Sequence, residues 1–219
     1  AFLFSRGFIK TGLGKRIAYN LIAAFGSSSL RLAYALALSD LILAPATPSN
    51  TARVGGVIMP ITTSLAKAFG SEPQDGPRKI GSFLMQSIYQ VNTITSAMFQ
   101  TSMAGNTLVA ALALQSFGIG ITWGDWAMAA IVPGIIALII MPYFIYKVYP
   151  PEIKDAREAQ QMIKEELKGL GKMSFQEWVM LGVFILALVL WATSQFTKLD
   201  ATTVAFLGIS ILLATSVLV

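Results

Sequence analysis

Pro45-Ala46-Thr47-Pro48-Ser49-Asn50-Thr51-Ala52-Arg53 is a polar knot ending in a cation, set between two apolar stretches, and its reading decides the fold. Before it, Leu30 to Ala44 is apolar apart from Arg31, Tyr34 and the Ser39-Asp40 pair; after it, Val54 to Ala66 is apolar with the hydroxyl residues Thr62, Thr63 and Ser64. A helix rises about 1.5 Å per residue and a bilayer core is about 30 Å thick. Arms of this length reach roughly mid-membrane, so the chain is expected to turn back at Ser49-Asn50-Thr51.

The composition agrees with a membrane setting. The chain has 219 residues, 55% hydrophobic and 12% charged, with a mean hydropathy of +0.66. That is too apolar for a solvated domain and reads as an all-α polytopic membrane protein. Cysteine and histidine are both absent, which excludes a disulfide framework, a thiolate nucleophile, an imidazole base and a Cys/His metal site. No catalytic residue, metal or cofactor is expected. The net charge of +5 lies in short connecting segments and is a topology signal, so the bilayer and not nucleic acid is the partner. Position 1 is Ala and the last residues lie inside an apolar stretch, so the chain reads as an excerpt of a longer one.

Taken in order, residues 1–29 form a basic, glycine-broken segment at an interface, and 30–69 form the hairpin. Gly70 to Lys79 is a water-exposed loop. Residues 79–117 are too long for one straight span and contain the polar break Gln100 to Thr107, so two half-helices are expected. Residues 123–147 form a span with Pro133 and Pro142 inside it. Residues 150–172 read as an amphipathic surface helix, with Ile153, Ala156, Ala159, Ile163 and Leu167 at helical spacing. Residues 175–219 hold two further helices.

Charge gives an independent reading of the hairpin. Lys147 to Lys172 holds six Lys/Arg and belongs in the cytoplasm, whereas Gly118 to Asp125 holds none and belongs outside. Counting back one crossing puts Arg78-Lys79 inside. Basic residues flank the knot on both sides, so both flanks are cytoplasmic and the stretch between them is re-entrant.

Irregular backbone at membrane depth is tolerated only where protein buries it or where it lines a polar cavity. Ser49, Asn50 and Thr51 are preferred N-cap types and point the positive end of the second arm at the tip, which suits a carboxylate. The first arm brings carbonyls to the same place, which suits a cation. Asp40 reads equally as a structural partner or a functional group.

The stretch Leu43-Ala44-Pro45-Ala46-Thr47-Pro48-Ser49-Asn50-Thr51-Ala52-Arg53, running on to Met59-Pro60-Ile61, resembles the hairpin signature of the divalent anion/sodium symporter family. It is most similar to the exchanger branch of citrate/succinate antiporters and plastid 2-oxoglutarate/malate translocators. The resemblance implies two inverted repeats, each giving a re-entrant hairpin and a broken helix to one midplane site. It also implies an elevator motion against a dimeric scaffold, with residues 1–29 and 175–219 belonging to the scaffold. By the same resemblance Ser49, Asn50 and Thr51 bind substrate, and Gly105 and Asn106 mark the break that supplies carbonyls. The implied setting is the bacterial cytoplasmic membrane or the plastid inner envelope.

Two departures from that pattern bear on coupling. Sodium-coupled members have a serine ligand where Pro45 stands and a neutral residue where Arg53 stands. The break also departs, reading Met103-Ala104-Gly105-Asn106-Thr107 in place of Gly-Thr-Pro-Pro-Asn. The expectation is sodium-independent exchange of di- or tricarboxylates of the malate, succinate, 2-oxoglutarate or citrate type. Arg53 would replace the sodium ion, pair with a carboxylate or cap the first arm's carbonyls, and hinder return of the empty carrier by its unpaired charge. The alternatives are a sodium-coupled dicarboxylate symporter and, from another class, a polytopic membrane enzyme.

Overall fold

The computed structural model describes residues 2–218. Among these the chain is built from helices, with one isolated antiparallel bridge between Ser28 and Asp155. Helix α1 (Phe2–Thr11) and α2 (Leu13–Phe25) are separated at Gly12, whose φ of 78° is a left-handed conformation open to glycine at little cost. Gly7 and Gly14 lie inside the helices and do not break them. Helix α3 (Ser29–Leu43) is capped by Ser28, whose hydroxyl accepts from the Arg31 amide, and continues through a 3₁₀ turn, Ala44–Ala46.

After Pro48 the backbone is helical again from α4 (Asn50–Arg53) through a π turn (Val54–Ile58) into α5 (Met59–Ala68). The π turn contains Gly55 and Gly56, and a Cβ on Gly56 would come within 2.4 Å of Ile9. That glycine lets the second arm lie directly on α1.

Helix α6 (Gly81–Met98) and α7 (Ala104–Phe117) are the two halves of the broken stretch. The break itself is Phe99 to Met103, so residues 104–107 are the first turn of α7. Helix α8 (Trp123–Val148) carries Pro133 and Pro142 and starts with a reciprocal cap between Thr122 and Asp125. Helix α9 (Arg157–Gly169), α10 (Phe175–Ala192), the single turn α11 (Ser194–Thr197) and α12 (Ala201–Ala214) complete the described chain.

Two sequence expectations need correction. The amphipathic helix was expected over 150–172, but it begins only at Arg157. The preceding residues are extended: Ser29 N donates to Lys154 O at 3.0 Å, Glu152 N to Arg78 O at 3.1 Å and Ile153 N to Lys79 O at 2.9 Å. Pro150-Pro151 cannot supply helical amides, and these neighbours take the next ones. The second correction concerns the first arm. Ser29–Ala46 is 18 residues long, about 27 Å of helix, nearly a full hydrocarbon thickness. Arm length therefore gives no reason for a turn at half depth.

The same hydrogen bonds bring three chain segments to one end of the molecule. The start of α3, the loop at Arg78-Lys79 and the linker at Glu152–Lys154 are in contact there, so residues 29–79 leave that end and come back to it. The α6 helix packs against α8 and α3, α2 lies between α3 and α9, and α10 pairs with α12. Phe4, Phe8, Leu36, Ile58, Phe83, Met180 and Trp191 lie in the core, and the Phe8 and Phe184 rings meet edge to face at 5.3 Å. Among the described residues, three helices are long and apolar enough to cross a membrane: Ser29–Ala46, Trp123–Val148 and Phe175–Ala192. One apolar face of α7 and α8, with Leu108, Leu112, Val132, Ile136 and Ile139, is exposed, which is a lipid- or protein-facing arrangement.

Candidate functional site

The irregular tip, Ala44 to Ser49, meets the break, Phe99 to Met103. Burial of backbone without helical partners requires other hydrogen bonds, and here they run between the two segments. Thr101 Oγ1 donates to Pro45 O at 2.6 Å and accepts from Trp123 Nε1 at 2.9 Å. The Trp123 ring stacks between Phe99 and Trp191, with centroids 5.7 and 6.3 Å away.

The stronger tie is Arg53, whose side chain is fully buried against Asp40. A guanidinium has five N–H donors, and all five meet oxygen. Nε donates to Asp40 Oδ1 at 2.8 Å. Nη1 donates to Thr47 O at 3.1 Å and Ser102 O at 3.3 Å. Nη2 donates to Thr95 Oγ1 and Ser96 Oγ, each at 3.2 Å. Asp40 Oδ2 in turn accepts from Thr95 Oγ1 and from Asn92 Nδ2, the latter at 3.4 Å. The five acceptors come from the first arm, the tip, the end of α6 and the break.

This changes the reading of Arg53. In this arrangement no N–H is left over for a carboxylate, and its contact with Thr47 O is the carbonyl-capping alternative. Its charge is also matched by Asp40, so the expectation of an unpaired cation crossing the bilayer gives way to a neutral buried pair. A buried charge lacking a partner would be far more costly.

The other expected residues lie around the same junction. Ser49 caps the second arm, its Oγ accepting from Ala52 N at 3.2 Å, and Asn50 Oδ1 accepts from Thr51 N at 2.9 Å. Two of the amides at the helix start are thus already engaged. Ser49 and Asn50 are half-buried and Thr51 is exposed. Gly105 is the second residue of α7. Asn106 is buried and turned toward α6, with Nδ2 donating to Ser96 O at 2.7 Å and Phe99 O at 2.9 Å. It caps the free carbonyls at the end of α6. A cavity of about 210 Å³ borders the junction, with Pro48, Thr101, Met103 and Thr107 in its wall. Among the described residues no group of three acidic side chains is placed to hold a metal ion.

Thr95 and Ser96 were not singled out from the sequence, and Thr101 and Ser102 only as part of the polar break. The available signal was Asn92, Thr95 and Ser96 at i, i+3 and i+4 on α6, a polar face inside an apolar run.

Comparison with known proteins adds the family. Residues 1–219 match the family described as the sodium:sulfate symporter transmembrane region. The chain is 48% identical over 218 residues to the chloroplastic dicarboxylate transporter 1 of Spinacia oleracea, covering 99% of this chain and 38% of that protein. It is 48% identical over 213 residues to the inner membrane protein YbhI of Escherichia coli, covering 97% and 44%. It is 38% identical over 215 residues to the citrate/succinate antiporter of Escherichia coli, covering 98% and 44%. The chain spans less than half the length of each of these relatives.

Proposed function

The chain belongs to the sodium:sulfate symporter transmembrane family, and from that premise we propose that it forms the hairpin-bearing part of a secondary active transporter that exchanges di- or tricarboxylates independently of sodium. The observation that carries the reading is the Arg53 guanidinium, held by oxygens of Asp40, Thr47, Thr95, Ser96 and Ser102. It fills the place where the Thr47 and Ser102 carbonyls of the tip and the break meet the Thr95 and Ser96 hydroxyls of α6. A sodium ion there would leave with each cycle, whereas a guanidinium is permanent and cannot be deprotonated. Pro45 adds no side-chain oxygen, and its carbonyl is taken by Thr101.

In this reading Ser49, Asn50 and Thr51 receive the carboxylate at the start of the second arm, aided by the helix dipole. Arg53, paired with Asp40, contributes the fixed position of the tip. Gly105 and Asn106 hold the break that forms the facing wall. Residues 30–69 are a re-entrant hairpin, supported by the return of both its ends to one end of the molecule. Together with 79–117 it makes the moving body, and 1–29 with 175–219 belong to a dimeric scaffold in an elevator motion. In an empty tip the Ser49 and Asn50 oxygens are engaged by Ala52 N and Thr51 N, while the Ser49 hydroxyl and Asn50 amide donors have no acceptor among the described residues, and carrying unmet polar donors through hydrocarbon is costly. The loaded carrier therefore moves more readily, which is exchange; the relative named citrate/succinate antiporter supports exchange, and the one named dicarboxylate transporter supports the substrate class.

The test uses the intact protein in proteoliposomes, preloaded with dicarboxylate or with buffer alone. Labelled dicarboxylate uptake should need internal substrate and ignore a sodium gradient. Sodium-driven uptake into empty vesicles would replace exchange by sodium-coupled symport, and no uptake under either condition would overturn carboxylate transport.

A further inference from the structure

We propose that Asp40 is a positioning residue that acts through Arg53, locking the hairpin tip to the break so that the two irregular segments present one carboxylate site. The proposal rests on the transport function above and adds a residue outside the tip to its site. Asp40 is buried at 1% exposure, on α3 and one turn before the 3₁₀ end of the first arm. Arg53 is the charged group that its carboxylate meets, and the polar groups are Thr95 and Asn92 from α6.

The geometry makes the carboxylate the organiser of the network. Thr95 donates to Asp40 and accepts from Arg53, so the acid, the base and α6 close a ring. The same guanidinium reaches the tip at Thr47 O and the break at Ser102 O. A buried cation without its counter-ion seeks water. If Asp40 loses its charge, Arg53 swings out, and its bonds to Thr47 and Ser102 go with it. The tip and break then separate while their helices remain.

The experiment measures exchange by the intact transporter in proteoliposomes, normalised to folded protein. Asp40→Asn should raise the half-saturation constant for dicarboxylate at least tenfold while leaving maximal exchange less affected. A structural role alone would lower the amount of folded protein and leave half-saturation at the wild-type value. Because Asp40 acts through Arg53, the Asp40→Leu/Arg53→Met double variant, which removes both charges, should bind no more weakly than Arg53→Met alone. Hydrogen exchange provides a readout that needs no transport: in Asp40→Asn, residues 44–53 and 99–106 should lose protection together. An unchanged or lowered half-saturation constant, additive effects in the double variant, or loss of protection in one segment only would each overturn the proposal. If the wild type moves no carboxylate, the functional reading fails, and hydrogen exchange still decides whether Asp40 couples the two segments.

Discussion

Replacing Arg53 by lysine keeps the charge and removes the fork, which separates the two things the side chain supplies. The five oxygens around the guanidinium would face an ammonium with three N–H donors. The Asp40 carboxylate claims one, so at least two of the remaining four acceptors lose their donor. The Thr95 and Ser96 hydroxyls can rotate to other partners, while the Thr47 and Ser102 carbonyls cannot. Each buried acceptor left without a donor costs about 1–3 kcal/mol, so Arg53→Lys should destabilise by about 2–6 kcal/mol. The assay is denaturant unfolding of the intact protein in detergent, read beside exchange in proteoliposomes. Arg53→Ala should lose more, because Asp40 is then buried alone, and added guanidinium ion should restore part of the loss while sodium ion should not. An Arg53→Lys protein within about 0.5 kcal/mol of wild type, exchanging normally, would refute the argument that the fork holds tip and break together.

Labelling of single cysteines should place Gln74 and Lys172 on one side and Gly120 on the other; a Gln74 cysteine that reacts from the Gly120 side would turn the hairpin into a full crossing. Ser71 is unsuited to that test, because its buried hydroxyl accepts from Ile80 N and Gly81 N. Arg16→Met should destabilise by about 3–5 kcal/mol in denaturant unfolding, since it leaves Glu177 buried without its partner at 2.5 Å, and should leave the half-saturation constant for carboxylate unchanged. Gly12→Ala should cost about 1–2 kcal/mol through its positive φ alone, because a Cβ there meets nothing within 4 Å. Asp200 caps α12, and hydrogen bonds first from the Thr203 hydroxyl and then from backbone amides hold its carboxyl below its ordinary value. That stabilisation is present above the unfolded value and is lost as pH falls through the lower folded one. Asp200→Ala should therefore cost about 1 kcal/mol at neutral pH, and the difference should shrink in acid unfolding below about pH 4.

The helices were legible because long apolar runs between proline, glycine and charge leave few other solutions. The break in 79–117 was legible for the same reason, although its exact residues were not: Ala104 to Thr107 joined α7 once Asn106 capped α6. The non-helical start of 150–172 was hidden, because its amides are taken by Ser27, Arg78 and Lys79, far away in sequence. The same limit applied at Arg53. Its position and buried charge could be read, but its partners on α6 and the break lie 42, 43 and 49 residues away. Asp40 was balanced between two readings because a sequence shows a carboxylate without showing what it faces. With Asp40 as its counter-ion, Arg53 forms a neutral pair and no free cation, and the groups of the tip still open to an anion are the Ser49 hydroxyl and Asn50 amide donors.

Two arginines with several hydrogen bonds each divide the molecule in a way that suits the proposed relative motion. Arg16 joins α2 to the end of α9 and the start of α10: Nε donates to Glu177 Oε1 at 2.5 Å, and Nη1 donates to Gly171 O at 2.9 Å. Arg53 joins α3, the tip, α6 and the break. Neither fan reaches across to the other set of elements. A carrier that moves one body against another needs stiff joints inside each body and slippery contacts between them, because a polar bond broken in every cycle would add its full desolvation cost to the barrier. The contacts where α1 and α2 meet the hairpin's second arm are of the slippery kind: Gly56 lies on Ile9 and Gly14 lies on Val57. Glycine against a branched apolar side chain offers close approach without a hydrogen bond to break. Under the proposed elevator motion the fixed guanidinium is an internal strut of the moving body, and the proposed substrate carboxylate is the charge that comes and goes.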